Sequence, residues 1–429
     1  MLETIRTAWK IEDLRKKILF TLFIVLLYRL GNAVYVPYVN ITALEEYFKE
    51  LNNTALGLLN MMSGGAFSKA TIFALSIQPY INASIIIQLL TIAIPALERL
   101  QKEGGEDGQK KLASITRYST VLIGLLQGFA YYMLIRNNNL LSATGIWQAI
   151  VIILTFTAGS ALIMWLGEQI SEFGIGNGIS IILFASIVAR FPGDVGSMIS
   201  NVSTGSISLI AVLLMLLGAL AIVVLIIFVT NAERRIPVQY SKRVVGRKMY
   251  GGQSTHLPMK VNMSGVLPII FAQSIASLPA TIAAFFPAPT EGFWYGFLKA
   301  IGTTSFLYAS IYFLLIIFFS YFYSTIQFNP VEIANNLKKN GGFIPGFRPG
   351  KPTSEYIQKS LNKVTLFGAI YLGIVAVVPI IISAFSTTAR NSGIALGGTS
   401  VIIVIGVALE TVRALEAQMI MRNYKGFLE

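Results

Sequence analysis

The chain has 429 residues and a net charge of +13, and its composition excludes a soluble globular protein. Hydrophobic residues make up 54% of the chain and charged residues only 12%, whereas soluble domains carry roughly 25% charged residues. The lack of cysteine excludes a disulfide scaffold, and the recurring apolar runs exclude a disordered chain. With a mean hydropathy of +0.67, the sequence predicts a polytopic membrane protein.

The apolar runs have the length of membrane-spanning helices. Such a helix needs about 20 apolar residues, whereas a barrel strand needs about 9–11 residues of alternating character. We therefore predict an all-α membrane protein with ten transmembrane helices. The ten predicted spans are 18–36, 71–95, 118–135, 147–166, 178–190, 207–230, 261–286, 303–328, 364–385 and 394–410.

Lys and Arg residues predict the orientation, because cytoplasmic loops collect them. With the N-terminus inside, 25 of the 33 Lys and Arg residues fall in inside segments and six in outside segments. Both termini are therefore predicted to be cytoplasmic. Residues 1–17 are charged and lack a cleavage-type site, so we expect an amphipathic N-terminal helix rather than a secretory signal. Arg29 is the one cation predicted at depth, where we expect a structural role.

Residues 55–70 fit neither a span nor an ordinary loop. The segment is apolar, too short to cross a bilayer and interrupted by Gly57, Gly64 and Gly65. Irregular backbone at membrane depth is tolerated only where protein buries it or where it lines a cavity. Two interpretations stay open, a re-entrant half-helix and an interfacial helix on the outer surface. In either case we expect the segment to contribute little packing area.

Two basic segments, 231–260 and 331–363, form the largest predicted cytoplasmic loops. They could simply obey the positive-inside rule. Their length and a strand-like stretch from Arg235 to Tyr240 favour a docking surface for an acidic partner or for RNA phosphates.

The order of spans is compatible with two inverted repeats of five helices, residues 1–200 and 201–429. The N-terminal helix, spans one to five and the 55–70 segment fall in the first half. Spans six to ten, both basic loops and a short C-terminal tail fall in the second. Pro79 and Pro268 in spans two and seven, and glycines before spans five and ten, are weak echoes of such a repeat. The frequency of Pro and Gly in membrane helices is the other explanation.

Catalytic chemistry has no recognisable basis in the sequence. There is no phosphate-binding Gly-x-x-x-x-Gly-Lys loop, and His256 is the only histidine, so no His-based metal site or triad can form. We expect no enzyme activity, metal or cofactor. Apart from Glu410, carboxylates are missing from the predicted spans, which weakens the alternative of an ion-coupled solute transporter. A structural or scaffold role is the third alternative.

Six stretches in chain order resemble the SecY/Sec61-alpha family of protein-conducting channels. They are Met62–Ala66, Ile77–Leu90, Trp165–Ile170, Gly174–Ser180, Gln253–Pro258 and Phe343–Gly350. The resemblance implies two inverted five-helix halves around a central hourglass pore, which a plug closes from outside. It also implies that secretory polypeptides cross the bacterial plasma membrane and that membrane segments leave sideways into the lipid bilayer.

The resemblance also assigns candidate residues to the parts of such a channel. The plug residues would be Leu58, Asn60, Met61, Met62, Ser63, Gly64, Gly65 and Phe67. The aliphatic pore ring would be Ile77, Ile81, Ile179, Leu183, Ile270 and Ile403. The lateral gate, between spans two and three on one side and seven and eight on the other, would include Gln88, Thr91, Gln127 and Gln273.

The partners implied by the resemblance are the small subunits SecE and SecG, the SecA motor, the ribosome, and signal sequences with their nascent chains. The channel would be passive, with energy supplied by SecA or by the translating ribosome. The basic loops would dock these partners through Arg234, Arg235, Lys242, Arg243, Arg247, Lys248 and Arg348.

Overall fold

A computed structural model describes nearly the whole chain as a bundle of long helices. It describes residues 2–50, 55–205, 208–240, 243–245, 248–250, 254–263, 265–284, 305–385 and 394–425, with a few isolated residues between 296 and 302. The helices are α1 Leu2–Lys10, α2 Glu12–Gly31, α3 Ile41–Glu50, α4 Ala55–Met62, α5 Gln78–Ala93, α6 Pro95–Lys102, α7 Gly105–Asn137, α8 Ile146–Phe173, α9 Gly178–Ser203, α10 Leu209–Asn231, α11 Leu267–Ala284, α12 Phe306–Gln327, α13 Pro330–Lys339, α14 Lys351–Phe385 and α15 Ile394–Lys425.

Each of the ten predicted spans falls on one of these helices. Among the described residues, length and apolar composition qualify six helices as membrane spans, and the bent pair α5–α6 makes a seventh. The uninterrupted apolar part of α11, Leu267–Pro279, is shorter than a full span. The architecture is therefore that of a mostly helical multi-pass membrane protein and is compatible with ten spans.

The second span is shorter than predicted. Helix α5 begins only at Gln78, where Pro79 occupies its first turn; Thr71 forms a β-bridge with Tyr35, and residues 72–77 form turns. At the other end the chain bends by 105° into α6 at Pro95. Proline lacks the N–H that a continuing helix needs, so both boundaries follow from its chemistry.

The first, fifth and ninth spans also differ from prediction. Helix α2 ends at Gly31, so Arg29 lies in its last turn, where a cation suits the helix dipole. The predicted span 178–190 is too short, because α9 continues through Pro192 to Ser203. Helix α14 begins at Lys351, well before the predicted start at residue 364.

A small antiparallel sheet stands outside the helical bundle. Strands β1 Glu233–Tyr240, β4 Ser254–Lys260 and β5 Gly342–Phe343 pair in the order β4-β1-β5, and β2 Arg243–Val245 pairs with β3 Lys248–Tyr250. The strand predicted from Arg235 to Tyr240 is confirmed. Ile236 and Val238 alternate with exposed residues and pack with Ile357 and Leu361 on the start of α14.

Two buried clusters hold the bundle together. The central cluster gathers aliphatic and aromatic side chains from α2, α4, α5, α8, α9, α10, α11, α12, α14 and α15. The aromatic cluster lies around α3, α7 and α8 and contains Phe48, Phe67, Tyr131 and Phe156. The 55–70 segment contributes to both clusters, with Met62 in the first and Leu56 and Phe67 in the second.

Candidate functional site

The 55–70 segment is a short helix followed by tight turns. Helix α4 covers only Ala55–Met62, and Leu58 lies on it. Gly64 and Gly65 then take φ values of +67° and +86°, which glycine adopts without steric cost. Within the segment, the Asn60 side chain accepts from the Ser68 amide at 2.9 Å, and the Ser63 hydroxyl accepts from the Phe67 amide at 3.0 Å. The segment is a compact, internally bonded unit.

Phe67 anchors one end of this segment. Its ring stacks on Tyr131 of α7 at 4.2 Å between centroids and meets Phe48 edge-on at 5.3 Å. The Tyr131 hydroxyl also donates to the Phe67 carbonyl. Phe67 is 2% exposed. The expectation that the segment contributes little packing area is therefore wrong, because an aromatic ring of this size buries well over 100 Å².

The turn at Gly64 lies directly against α9. A Cβ added to Gly64 would be 2.8 Å from the Ser186 carbonyl oxygen, so only glycine fits. Tyr28 of α2 contacts both α9 and the turn. Its hydroxyl lies 2.6 Å from Ser186 Oγ and donates weakly to the Ser63 carbonyl at 3.5 Å. The Tyr28 ring stacks on Phe73 at 5.6 Å. The turn is thus fixed by two helices of the bundle.

The six predicted ring residues all belong to the central cluster or pack against it. Ile77, Ile81, Leu183, Ile270 and Ile403 are all buried in it, and Ile179 is partly buried against it. These side chains come from α5, α9, α11 and α15. Ile179 also lies beside Gly167 of α8. Met62 of α4 belongs to the same cluster, so the short segment and the candidate ring are in one apolar body.

Three of the four predicted gate residues contact or line neighbouring elements. Gln88 of α5 accepts a hydrogen bond from the Tyr323 hydroxyl of α12. Gln273 of α11 donates to the Met62 sulfur at 3.9 Å. Gln127 of α7 lines a cavity of about 40 Å³ with Gln78, Asn82, Ser274 and Ser277. Thr91 donates only to the Gln88 carbonyl within its own helix.

The basic candidates lie in and around the small sheet. Arg234 and Arg235 are exposed on β1, and Arg235 Nε donates to Glu233 Oε1 at 2.7 Å. Arg243 lies on β2 and Lys248 on β3. Lys242 and Arg247 lie outside the described residues.

Arg348 is exposed between two glycine turns, as its sequence predicts. Gly346 and Gly350 have φ values of +86° and +104°. Thr353 Oγ1 donates to the Arg348 carbonyl at 2.7 Å, and Phe347 packs on Tyr356 at 4.1 Å. These contacts restrict the backbone of the loop, while the Arg348 side chain is exposed to solvent.

The sequence interpretation missed several residues that hold the 55–70 segment. Tyr28, Tyr131 and Ser186 are ordinary members of apolar helices, and nothing in their spacing distinguishes them. Gln78 is distinguishable in the sequence, because it is an amide directly before Pro79 in an otherwise apolar stretch. A polar side chain in that position indicates a contact with another buried polar group.

Similarity to known proteins decides the family. The SecY family profile matches residues 71–412. A protein translocase subunit SecY from Streptomyces scabiei is 44% identical over 443 aligned residues, covering 100% of both chains. The chain belongs to the SecY family. It is therefore a channel-type membrane protein and not an enzyme.

Solved SecY-family structures share the fold at low sequence identity. One is a SecY protein whose plug domain is described as stabilising the closed state of the translocation channel and maintaining a membrane seal. It has a TM-score of 0.66 and 15% identity, and the match covers 94% of this chain and 92% of that one. Another is Sec61 in the canine ribosome–channel complex, with a TM-score of 0.63, 15% identity and the same coverage.

Proposed function

We propose that this chain is the channel subunit of a protein translocase, a passive pore through which unfolded secretory polypeptides cross the membrane. The observation that supports the proposal is that Met62 of the 55–70 segment and the six candidate ring residues belong to, or pack against, one buried apolar cluster. Full-length similarity to a translocase subunit supports the same role. The chain contributes shape and gating, and partners supply the energy.

The seal has two layers in this proposal. The ring of Ile77, Ile81, Ile179, Leu183, Ile270 and Ile403 blocks ions because an aliphatic constriction excludes water. In this proposal the plug, residues 55–70, seats against the ring through Met62, which belongs to the same buried cluster. Flexible aliphatic side chains can part around a polypeptide and close again after it.

The lateral gate opens between α5 and α7 on one side and α11 and α12 on the other. Its support is the hydrogen bond from Tyr323 to Gln88 and the shared polar lining of Gln127, Gln78 and Ser274. Hydrogen bonds between membrane helices contribute about 0.6 kcal/mol on average. Such weak bonds keep the gate closed at rest yet yield to a hydrophobic signal sequence.

The topology and location follow the charge distribution. We propose a bacterial plasma membrane protein with both termini in the cytoplasm and with two halves, 1–200 and 201–429, of opposite orientation. The excess of Lys and Arg in the inside segments supports this orientation. The small sheet and the Arg348 loop then face the cytoplasm.

The cytoplasmic surface docks the SecA motor or the ribosome, and SecE and SecG are the expected membrane partners. Arg234, Arg235 and Arg348 are exposed there, and the related Sec61 is known in a ribosome–channel complex. Arginine forms planar, bidentate contacts with carboxylates and phosphates. This is the chemistry that an acidic protein surface or ribosomal RNA offers.

Reconstitution tests the function directly. The chain, purified with the small subunits that accompany it, is placed in proteoliposomes with SecA, ATP and an unfolded preprotein. We expect the preprotein to become protected from added protease only when chain, SecA and ATP are all present. Solute uptake without any of these partners, together with unprotected preprotein, would instead favour the permease alternative.

Arg348 tests the docking surface. Loss of one partner of a hydrogen-bonded charge pair costs about 2–5 kcal/mol, whereas a solvated charge costs close to nothing. Arg348→Glu is therefore expected to abolish SecA-driven export at normal channel abundance, and Arg348→Lys to impair it. Export rates in the same proteoliposomes provide the measurement.

Lys359 provides the control for this variant. It is exposed on α14, about three turns beyond the loop. Lys359→Glu makes the same charge reversal outside the restricted turns and should be far milder. An unchanged export rate for Arg348→Glu would mean that the loop is only a topology signal.

A further inference from the structure

Two adjacent methionines at the end of α4 contact polar side chains from three other helices. The Met62 sulfur accepts from Gln78 Nε2 of α5 at 2.9 Å and from Gln273 Nε2 of α11 at 3.9 Å. The Met61 sulfur accepts from Ser400 Oγ of α15 at 3.6 Å. The Met62 sulfur therefore contacts a side chain from each of two helices, α5 and α11, which lie on opposite sides of the candidate gate and also pack directly on each other.

The bridge is buried, and its amides have few other partners. Met62 and Gln273 are 3% exposed and Gln78 is 8% exposed. Among the described residues, Gln273 Oε1 and the neighbouring Ser274 Oγ have no hydrogen-bond partner. Buried amide groups in folded proteins almost always find an acceptor. The thioether of Met62 is the acceptor that both of these side-chain amides share.

We propose that Met62 is a positioning residue that couples the plug to the gate. Its sulfur joins α5 to α11 while it seats α4 against the ring, so the plug leaves when these two helices part. Met61 adds a third attachment on α15. This inference rests on the proposed function, and it assigns the control of plug release to one side chain.

The choice of sulfur fits a contact that must break often. A thioether is a weak acceptor compared with a carbonyl or carboxylate oxygen. Its hydrogen bonds satisfy the buried amides at rest but resist separation less than oxygen would. A signal sequence that enters between α5 and α11 therefore opens the gate and frees the plug in one step.

A purely packing role for Met62 makes the opposite prediction. Methionine commonly fills irregular gaps in apolar cores, and leucine replaces it there with little loss. Glutamine has nearly the same length as methionine but carries a strong oxygen acceptor. Met62→Leu and Met62→Gln therefore separate the two roles, because filling space favours Leu and accepting hydrogen bonds favours Gln.

Resting ion conductance of the purified complex in planar bilayers measures plug seating. We expect Met62→Leu to raise the resting open probability about tenfold, the change that ~1.4 kcal/mol makes in an equilibrium constant. Met62→Gln is expected to conduct no more than the unmodified channel and to open more slowly with signal peptide. Unmodified conductance in Met62→Leu, or more leak in Met62→Gln than in Met62→Leu, would overturn the proposal.

A double-mutant cycle with Gln78 gives an independent test. If Met62 and Gln78 act through one contact, Met62→Leu combined with Gln78→Leu should leak no more than the worse single variant. If the leak of the double variant instead equals the product of the two single effects, Met62 and Gln78 act independently, and the proposed coupling is overturned. Immunoblots of membrane abundance confirm that the variants fold.

Met164 of α8 provides the matched control. It is also buried, at 7% exposed, and belongs to neither of the two clusters that contain α4 side chains. Met164→Leu should leave the conductance unchanged, whereas Met164→Gln should lower abundance. If the unmodified complex neither conducts with signal peptide nor transports preprotein, the proposed function itself fails. If it does both and Met62→Leu is silent, only the coupling fails.

Discussion

The aromatic cluster and the central cluster hold different parts of the same short segment, Leu56 and Phe67 in the first and Met62 in the second. In the aromatic cluster, Phe67 stacks on Tyr131, which in turn packs on Phe156 at 4.9 Å. In the central cluster, Met62 shares a buried apolar body with aliphatic and aromatic side chains and accepts from two side-chain amides. Aromatic pairs add about 0.5–1.5 kcal/mol beyond the area they bury, whereas thioethers and aliphatic chains are flexible and separate more easily.

This contrast suggests which end of the segment moves. The Phe67 end has stacked rings and a hydroxyl bonded to its backbone, so we expect it to stay attached and act as the pivot. The Met62 end has weak acceptors and an apolar contact with the ring, so we expect it to detach. A short helix that pivots on an aromatic anchor can uncover the pore without leaving the protein.

Removal of the aromatic anchor is expected to have the largest effect. Phe67→Ala deletes a ring that is 2% exposed, and such core substitutions cost about 3–5 kcal/mol. We expect the complex to lose about this much unfolding free energy in detergent titrations and to leak ions continuously in bilayers. Phe129→Ala on α7, where the ring is 52% exposed, provides the control and should change neither quantity appreciably.

If Phe67→Ala instead kept both its stability and a tight seal, the contrast between the two clusters would disappear. A result in which stability falls but the seal stays intact would place the pivot elsewhere. Either outcome is read from the same two measurements.

Replacement of the ring residues probes the central cluster. Ile81→Ser with Ile270→Ser puts hydroxyls into the aliphatic constriction and lowers the barrier to water entry. We expect the resting ion leak to rise and poorer signal sequences to be accepted, in planar bilayers and export assays respectively. Ile226→Ser is the matched control, because Ile226 of α10 is equally buried, at 2% exposed, in the same cluster but outside the ring.

A double Ser variant that only lowers membrane abundance, as Ile226→Ser is expected to do, would mean that Ile81 and Ile270 are packing residues. The ring would then lie at another level of the bundle.

The Gly64 turn is expected to show the smallest effect of the three. Gly64→Ala would place a methyl group 2.8 Å from the Ser186 carbonyl oxygen at a φ of +67°, a conformation that costs about 1–2 kcal/mol for an L-residue. The segment would be lifted from α9, with a modest rise in conductance. Gly65→Ala has a similarly positive φ but no atom within 4 Å of the added Cβ. Equal leak in both would attribute the effect to backbone strain and not to contact with α9.

The sequence by itself determined the class of the molecule and most of its helices. Membrane helices must be long, apolar and poor in charge, because unpaired backbone groups and charges are costly in lipid. Those constraints act within each segment, so each apolar run predicts a membrane span by itself. The strand at Arg235–Tyr240 was equally readable from its alternation, and the Arg348 loop from its glycines.

Helix ends were predicted less well, because they depend on caps and on prolines. The apolar run predicts a second span from residue 71, yet residues 72–77 form turns, and α5 begins at Gln78 with Pro79 in its first turn. The fifth span was ended at 190, although α9 continues past Pro192. Apolar content alone does not separate a helix from an apolar turn that the protein buries.

Only the tertiary structure decided how the 55–70 segment is held. Phe67 with Tyr131, Tyr28 with Ser186 and Met62 with Gln273 are pairs separated by 64, 158 and 211 positions in the chain. In the sequence, a tyrosine or glutamine in an apolar helix looks the same whether its side chain faces lipid, a neighbouring helix or the plug. What distinguishes these cases is the position of another helix, and no local pattern encodes that position.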